Sequence, residues 1–137
     1  MWVKEKISYC VRYVLTILRR VQTTEREFLK IWPAIDSIEG LLVSPEQERW
    51  LFKMAKSLPD GANLVEIGCY KGRSTCCLAY GCRKTKRHVF AIDTFEGNDT
   101  DFHEGGFFEE FRRNIEKLGL EEYVTSIRGF SSQASES

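Results

Sequence analysis

The sequence lacks an excess of either charge, because 20 Lys and Arg residues balance 20 Asp and Glu residues. This balance gives no support to nucleic-acid binding, which depends on a basic surface. An uninterrupted apolar run of about 18 residues is also missing, so no membrane-spanning helix is predicted. The apolar stretch 13–18 is short and lacks a small-residue cleavage site, so no signal peptide is predicted either. We therefore expect a cytoplasmic protein.

Cysteine is present in an odd number and without metal-ligand spacing; the five residues are Cys10, Cys69, Cys76, Cys77 and Cys82. Cys76 and Cys77 are adjacent in a predicted helix, where small apolar side chains suit a reducing compartment. We interpret the cysteines as structural thiols and expect no bound metal; a metal or disulfide role is the alternative. The length of 137 residues and the hydrophobic content of 42% fit one compact domain or part of one.

The first 43 residues are predicted to form a separate helical extension. Apolar residues recur there at helical spacing, at Val3, Ile7, Val11, Val14, Leu15, Leu18 and Val21. The flanks of this stripe are mainly basic. Such a helix can lie on an anionic membrane surface, but we expect the commoner arrangement, packing on its own domain or on a second subunit. Pro33 is predicted to end the helix, with an irregular connector over 35–43.

From Ser44 onward the pattern alternates between helix and strand. Ser44 and Pro45 form a helix start, as N-cap and first helical residue. Helices are predicted over 45–58, 74–81 and 107–118, and strands over 64–67, 88–93 and 123–128. The apolar face of the first of these helices is assigned to Trp50, Leu51, Met54, Ala55 and Leu58. The alternation predicts an α/β fold, a Rossmann-like parallel sheet with helical crossovers.

The segment from Asn63 to Thr75 is the most informative part of the chain. An apolar strand runs directly into Gly68, and Gly72 follows just before a helix. Glycines allow the backbone to approach a ligand closely, and the N–H groups of a helix start point toward it. Glu66 adds a carboxylate, which favours a ligand with an ammonium group or sugar hydroxyls over a phosphate.

Asp93 ends the second predicted strand. A right-handed crossover places this residue beside the carboxyl end of the first strand. A carboxylate there can accept hydrogen bonds from both hydroxyls of a ribose. The alternative is an aspartate that only begins a turn.

The segment 93–110 contains seven acidic residues and no Lys or Arg. Its glycines predict a loop. The loop could act as a lid over a cationic ligand or could be only solvated. His103 within it is either an acid–base candidate or an exposed residue without a role.

These residues resemble a known family. The pattern E-x-G-x-x-x-G-x-S-T over 66–75 resembles the first motif of class I S-adenosylmethionine-dependent methyltransferases. The closest resemblance is to the sugar and macrolide O-methyltransferases of the macrocin O-methyltransferase type. Residues 91–97 are similar to the second motif of that branch, and 107–129 to its third strand region. Residues 41–46 look like its lead-in helix. The similarity covers about residues 40–133.

The resemblance implies a role for each motif residue. Glu66 would lie near the methionine ammonium of S-adenosylmethionine, and Gly68 and Gly72 near its sulfonium and ribose. Ser74 would cap the helix near the methionine carboxylate, and Asp93 would bind the ribose hydroxyls. The implied cofactor-binding set is Glu66, Gly68, Cys69, Tyr70, Gly72, Ser74, Asp93, Thr94, Phe95, Gly129, Phe130 and Ser131.

Two departures from the family are visible. Thr94 and Phe95 would lie beside the adenosine, but Phe130 replaces the Asp with which many members contact adenine, so backbone groups and stacking would have to serve. Members also continue into a fourth strand that shapes the substrate site and in some binds Mg²⁺. The chain looks truncated after the third strand, as the cofactor-side half of an enzyme for a small-molecule acceptor. No catalytic residue is assigned.

Two other functions remain open. A nicotinamide-dependent oxidoreductase shares the strand, glycine turn and later Asp, but the G-x-G-x-x-G pattern is absent. A truncated, non-catalytic methyltransferase-like module is the other, anchored by its basic N-terminal helix. Because the fourth strand of such a sheet is missing, the strand Leu64–Ile67 is expected to present an unpaired apolar edge, through which the chain would form homo-oligomers or aggregates unless the N-terminal helix covers it.

Overall fold

The computed structural model describes residues 2–40, 44–97 and 106–134. The chain divides into two compact units, Met1–Pro33 and Ala34–Ser137. The first unit consists of helix α1, which extends from Trp2 to Asp36 and so continues into the second. Pro33 therefore does not end this helix, contrary to prediction. Proline removes one N–H donor, and in the last turn that loss affects a single bond before the helix ends.

The second unit has the predicted alternation of helices and strands. Its elements are α2 (Pro45–Ser57), β1 (Asn63–Ile67), α3 (Arg73–Cys82), β2 (His88–Asp93), α4 (Phe108–Lys117), β3 (Val124–Arg128) and α5 (Ser131–Ala134). The six elements predicted between 44 and 128 are all present, with each end within a residue of its prediction. The 3-10 turn before β3 and the short helix α5 were not predicted. The α/β, Rossmann-like prediction is confirmed.

The three strands form one parallel sheet in the order β1-β2-β3. Leu64 pairs with Val89 in register, and both are buried on the covered face. Val65 and Ile67 point to the other side of β1, where they remain 63% and 67% exposed. Because side chains alternate along a strand, one face of the sheet is covered by helices and the other, the open face, is left bare at β1.

Helix α2 begins as predicted, and Ala55 of its predicted apolar face is buried, but the centre of the buried face lies elsewhere on the helix. The Gln47 N–H donates to the Ser44 hydroxyl oxygen at 3.4 Å, which is the expected cap. The buried residues are Glu48, Phe52 and Ala55, whereas Trp50, assigned to the core, is 63% exposed. Positions i, i+4 and i+7 share one face of a helix. The true core face is therefore the one that carries Glu48.

Glu48 is buried because Arg73, the first residue of α3, reaches it. The Arg73 Nε donates to a carboxylate oxygen of Glu48 at 2.5 Å. The same guanidinium donates to the carboxylate of Asp36 at 2.6 Å and to the carbonyl of Ile38 at 3.0 Å. A planar guanidinium with five donors can hold several acceptors at once. Arg73 thus connects residues 36–38 to α2 and α3.

The buried pair predicts a specific loss of stability. Glu48→Gln should lower the free energy of unfolding by about 3 kcal/mol, because removing one partner of a buried ion pair leaves the other uncompensated. Glu109→Gln is the matched control, since the Glu109–Arg112 pair is exposed and exposed pairs contribute roughly 0–1 kcal/mol. Urea denaturation of both variants measures the difference. Equal midpoints would show that the Arg73–Glu48 pair does not hold α2 to α3.

The unpaired edge of β1 and its exposed apolar residues predict self-association. Within the described residues, β1 has a hydrogen-bonded neighbour on one side only, and an apolar edge strand is a template for another chain. The 137-residue chain should therefore associate as its concentration rises, and Val65→Lys should weaken that association. Thr125→Lys, also exposed but on β3, should not. Light scattering across a concentration series measures this; a parent chain that stays monomeric would contradict the prediction.

Candidate ligand-binding site

The carboxyl ends of the three strands are joined by backbone hydrogen bonds. The Gly68 N–H, just after β1, donates to the carbonyl of Ile92 in β2 at 2.9 Å. The Gly129 N–H, just after β3, donates to the carbonyl of Asp93 at 2.9 Å. The loops that follow the strands therefore meet at one edge of the sheet. This edge is where ligands bind in open α/β sheets.

Asp93 is the centre of this edge, but its carboxylate is already occupied. One oxygen accepts the N–H groups of Cys69 and Tyr70, at 2.6 and 2.8 Å. The other accepts the N–H of Phe95 at 2.8 Å. A carboxylate has about four acceptor positions, so about one remains. Asp93 can accept hydrogen bonds from both ribose hydroxyls only if one of the three backbone N–H groups releases its hydrogen bond.

The glycine loop is held by its side chains as well as by its backbone. Cys69 is buried, with its sulfur 3.6 Å from the carbonyl of Ile92. The ring of Tyr70 packs edge-on against Phe107, with centroids 4.5 Å apart. The buried Lys71 pairs with the carboxylates of Glu39 and Glu110. The backbone N–H groups of Cys69 and Tyr70, two residues of the predicted site, donate hydrogen bonds to Asp93.

The two glycines of the motif have different surroundings. Both adopt the left-handed backbone conformation, with φ of +83° at Gly68 and +87° at Gly72. A Cβ atom at Gly68 would meet nothing within 4 Å, whereas one at Gly72 would lie 2.9 Å from the ring of Phe111. Of the two, Gly68 is open on the side of its missing side chain, and at Gly72 that position is taken by Phe111 of helix α4. The predicted contact between the Gly72 backbone and the cofactor stays a prediction.

Glu66 lies on β1 with hydroxyl groups around its carboxylate. The Thr75 hydroxyl donates to it at 2.5 Å, and Ser74 also bonds to it. Burial nevertheless raises the pKa of Glu66, because desolvation outweighs these hydrogen bonds and the nearby Asp93 charge acts in the same direction. Ser74 does not cap α3, as had been expected. Gly72 occupies the N-cap position, so the Ser74 hydroxyl is directed to Glu66 instead.

The aromatic residues near Asp93 also differ from expectation. Phe95 is only 1% exposed, and its ring packs against those of Phe108 and Phe111, each with centroids 5.0 Å away. Its ring therefore belongs to the core, which argues against the predicted contact between that ring and an adenosine. Phe130, immediately after Gly129, is 63% exposed. Thr94 is partly buried, and Ser131 begins α5.

The buried cysteines act as packing residues. Cys69, Cys76, Cys77 and Cys82 are free and buried. Burial raises the pKa of all four thiols, that of Cys76 to about 12, so they stay protonated and weakly nucleophilic at neutral pH. In the described part of the chain, no group of three or more His, Cys, Asp or Glu side chains is arranged to hold a metal.

Parts of the sequence interpretation fall outside the described residues. They are the acidic loop 98–105 with His103, and residues 41–43 of the lead-in segment. Inside the described ranges, the bonds from Asp93 to Cys69 and Tyr70 were missed. The handedness of the crossover predicted that Asp93 would lie beside the loop. It did not predict which groups of the loop would form hydrogen bonds with Asp93.

Comparison with known proteins identifies the family. The sequence profile of a methyltransferase domain matches residues 65–137, just over half of the chain. The chain belongs to this methyltransferase family. A search of curated proteins finds none that matches.

Solved structures with the same fold include several methyltransferases. An O-methyltransferase from Bacillus cereus in complex with S-adenosylhomocysteine (SAH) is 26% identical, with a TM-score of 0.54 over 83% of this chain and 46% of that one. SAH-bound PaMTH1 from Podospora anserina is 20% identical, with a TM-score of 0.58 over 88% and 52%. TomG from Streptomyces achromogenes, an O-methyltransferase in complex with S-adenosylmethionine, is 20% identical, with a TM-score of 0.50 over 73% and 41%. The chain thus spans about half the length of these relatives.

The raised pKa of Glu66 predicts a pH dependence of stability. The folded state keeps a proton that the unfolded state loses above the ordinary value of 4.5, so the contribution of Glu66 to the free energy of unfolding should fall as the pH rises from 4.5 to the raised value. Glu66→Gln keeps an acceptor for Thr75 but cannot ionise. The Tm of this variant relative to that of the parent should therefore rise across this pH range, and the difference should stay constant at higher pH. A pH-independent difference would contradict the raised pKa.

Proposed function

We propose that this chain binds S-adenosylmethionine at the carboxyl ends of β1 and β2, as the cofactor-side part of an O-methyltransferase. Its acceptor would be a small molecule or sugar, as in the macrocin O-methyltransferase branch. The open space at Gly68 carries this proposal. Membership of a methyltransferase family and the likeness to the SAH-bound Bacillus cereus enzyme support it.

The methionine end of the cofactor suits the surroundings of β1. Gly68 has no atom within 4 Å of the place where a Cβ would lie, which would let a bulky ligand approach its backbone closely. Glu66 offers a carboxylate that is oriented by Thr75 and Ser74. An ammonium group beside it would favour the ionised form and oppose the effect of burial. Glu66 would therefore bind an ammonium best when the pH lies above its raised pKa.

The nucleoside end would rest on Asp93 and Phe130. Asp93 has about one acceptor position left, which suits one ribose hydroxyl while the loop bonds stay intact. Phe130 presents an exposed ring beside the backbone bond from Gly129 to Asp93. An aromatic face can stack on a base, so Phe130 would supply by stacking what many relatives supply with an acidic side chain.

When bound, the cofactor would supply a methyl group on a positively charged sulfur. Transfer of that group depends mainly on aligning the acceptor with it. The described residues would bind and orient the methyl donor. Glu66 would bind its ammonium group, Gly68 would leave space for it, and Asp93 would bind its ribose. No described residue is assigned as the base that takes the acceptor's proton. The acceptor site is thus outside this assignment.

The alternative cofactor is a nicotinamide dinucleotide. Its usual loop has the spacing G-x-G-x-x-G, in which the middle glycine lets the backbone reach the pyrophosphate. Here Gly68 and Gly72 are four residues apart, and Tyr70 fills the middle position. Glu66 would also repel a pyrophosphate. Both observations favour S-adenosylmethionine, and separate titrations with SAH and NAD distinguish the two.

Gly68→Ala tests the proposed site directly. The added methyl group should weaken SAH binding at least tenfold, since it enters the space assigned to the ligand. Gly61→Ala is the matched control, because Gly61 has nearly the same φ, +81°, and equally open surroundings. Both variants should lose a similar free energy of unfolding, roughly 1–2 kcal/mol, from strain at positive φ. Isothermal titration calorimetry with SAH measures the affinities.

The pair separates a binding effect from a folding effect. If Gly68→Ala and Gly61→Ala bind SAH equally well, the ligand does not lie at Gly68 and the proposed site is wrong. If the parent chain binds NAD and not SAH, the proposed cofactor is wrong. Asp93→Ala is less informative, because it would also release the amides of Cys69 and Tyr70.

A further inference from the structure

Helix α1 carries an exposed apolar stripe that the candidate site does not use. The expectation that this stripe packs on the chain's own domain or on a second subunit stays a prediction. Within this chain, its members between residues 11 and 21 and the neighbouring Ile17 are 43–54% exposed; they are Val11, Val14, Leu15, Ile17, Leu18 and Val21. Farther along the same helix, Phe28 and Ile35 are fully buried. Leu29, next to Phe28, is 51% exposed, so the exposed apolar residues are densest in the amino-terminal part of α1 but are not confined to it.

The stripe is wider than a seam between two helices. At about 100° per residue, its six side chains spread over roughly 160° of the helix circumference, from Ile17 at one margin to Leu15 at the other. A two-helix seam needs only the narrower a and d positions, and its flanking positions usually carry charges of opposite sign that pair between the helices. Here two of the flanking positions, Leu15 and Ile17, are themselves apolar.

The charges of the helix distinguish between two partners for the stripe, a second copy of the helix and a lipid surface. Residues 6–24 contain four basic residues, Lys6, Arg12, Arg19 and Arg20, and no acidic residue. Arg12 and Arg19 are seven residues apart, so they lie on one side of the helix, next to the margin at Leu15, and both are exposed. A second copy of this helix would bring like charges together. An anionic lipid surface would complement them.

We infer that the amino-terminal part of α1 lies on the surface of an anionic lipid bilayer. Its apolar stripe would enter the boundary between headgroups and acyl chains, and Arg12 and Arg19 would contact lipid phosphates. Among the described residues, no helix is long and apolar enough to cross a bilayer. The helix would lie in the plane of the surface, and the stripe would meet lipid up to Val21, before Glu25 and Glu27 introduce acidic charge.

Vesicle flotation with the full 137-residue chain tests this inference. The probes are vesicles of phosphatidylcholine alone and vesicles with about 30% phosphatidylserine. The parent should bind the anionic vesicles at least tenfold more strongly than the neutral ones, and 0.5 M salt should reduce that binding severalfold, because screening weakens exposed charge interactions. A sample without vesicles controls for self-associated protein.

Three variants identify the surface responsible. Leu18→Glu should reduce binding at least tenfold, and Arg12→Gln with Arg19→Gln should remove most of the preference for anionic vesicles without altering the fold, because both arginines are exposed. Trp50→Glu, at an exposed aromatic on α2, should leave binding unchanged. Circular dichroism checks that helix content is kept.

Three outcomes would overturn the inference. They are no binding to either vesicle, equal binding to both vesicles, and binding unaffected by the Leu18→Glu and arginine substitutions. Sedimentation equilibrium distinguishes a second copy as the true partner. A parent dimer that Leu18→Glu dissociates, without vesicle binding, would assign the stripe to self-association instead.

Discussion

The hydrogen bonds of Asp93 are the constraint on which the candidate site depends. Its carboxylate accepts the amides of Cys69 and Tyr70, and its carbonyl accepts the Gly129 N–H. One residue at the end of β2 therefore positions the loops after β1 and β3. Charged acceptors make the stronger N–H bonds, which helps hold Tyr70 at a φ of +48°, a conformation that costs energy in a residue with a side chain. These bonds fix the loop conformation in the absence of a ligand, which would lower the entropic cost of binding.

Packing behind this loop fixes the direction of α3. Gly72 lies against Phe111 of α4, and a Cβ atom at Gly81 would be 2.6 Å from the carbonyl of Phe52 in α2. Arg73 adds the buried bond to Glu48 between these points. Helix α3 is therefore held by close backbone approach at one end and by an ion pair at the other. Its first turn, which carries Ser74 and Thr75 beside Glu66, is set by contacts outside the site.

The sequence could predict what is decided locally. The cap at Ser44, the strand ending at Gly68 and the position of Asp93 follow from turn chemistry, apolar runs and the handedness of the crossover. It could not predict what depends on a distant partner. Trp50 was predicted to lie in the core, but the inner face of α2 is the one that carries Glu48. Glu48 can face inward because it pairs with Arg73, which lies 25 residues farther along the chain. Phe95 was likewise taken for a ligand contact, because nothing nearby in sequence indicates the ring cluster that buries it.

The central claim is that a ligand binds beside Asp93 and lies against Gly68. An amide NMR titration of the 137-residue chain with SAH tests it most directly. The account predicts that the Cys69 and Tyr70 amides exchange slowly even without ligand, and that the largest shifts on titration fall at Gly68, Thr94 and Phe130. Fast exchange at Cys69 and Tyr70, or shifts that spare these residues while others respond, would contradict it.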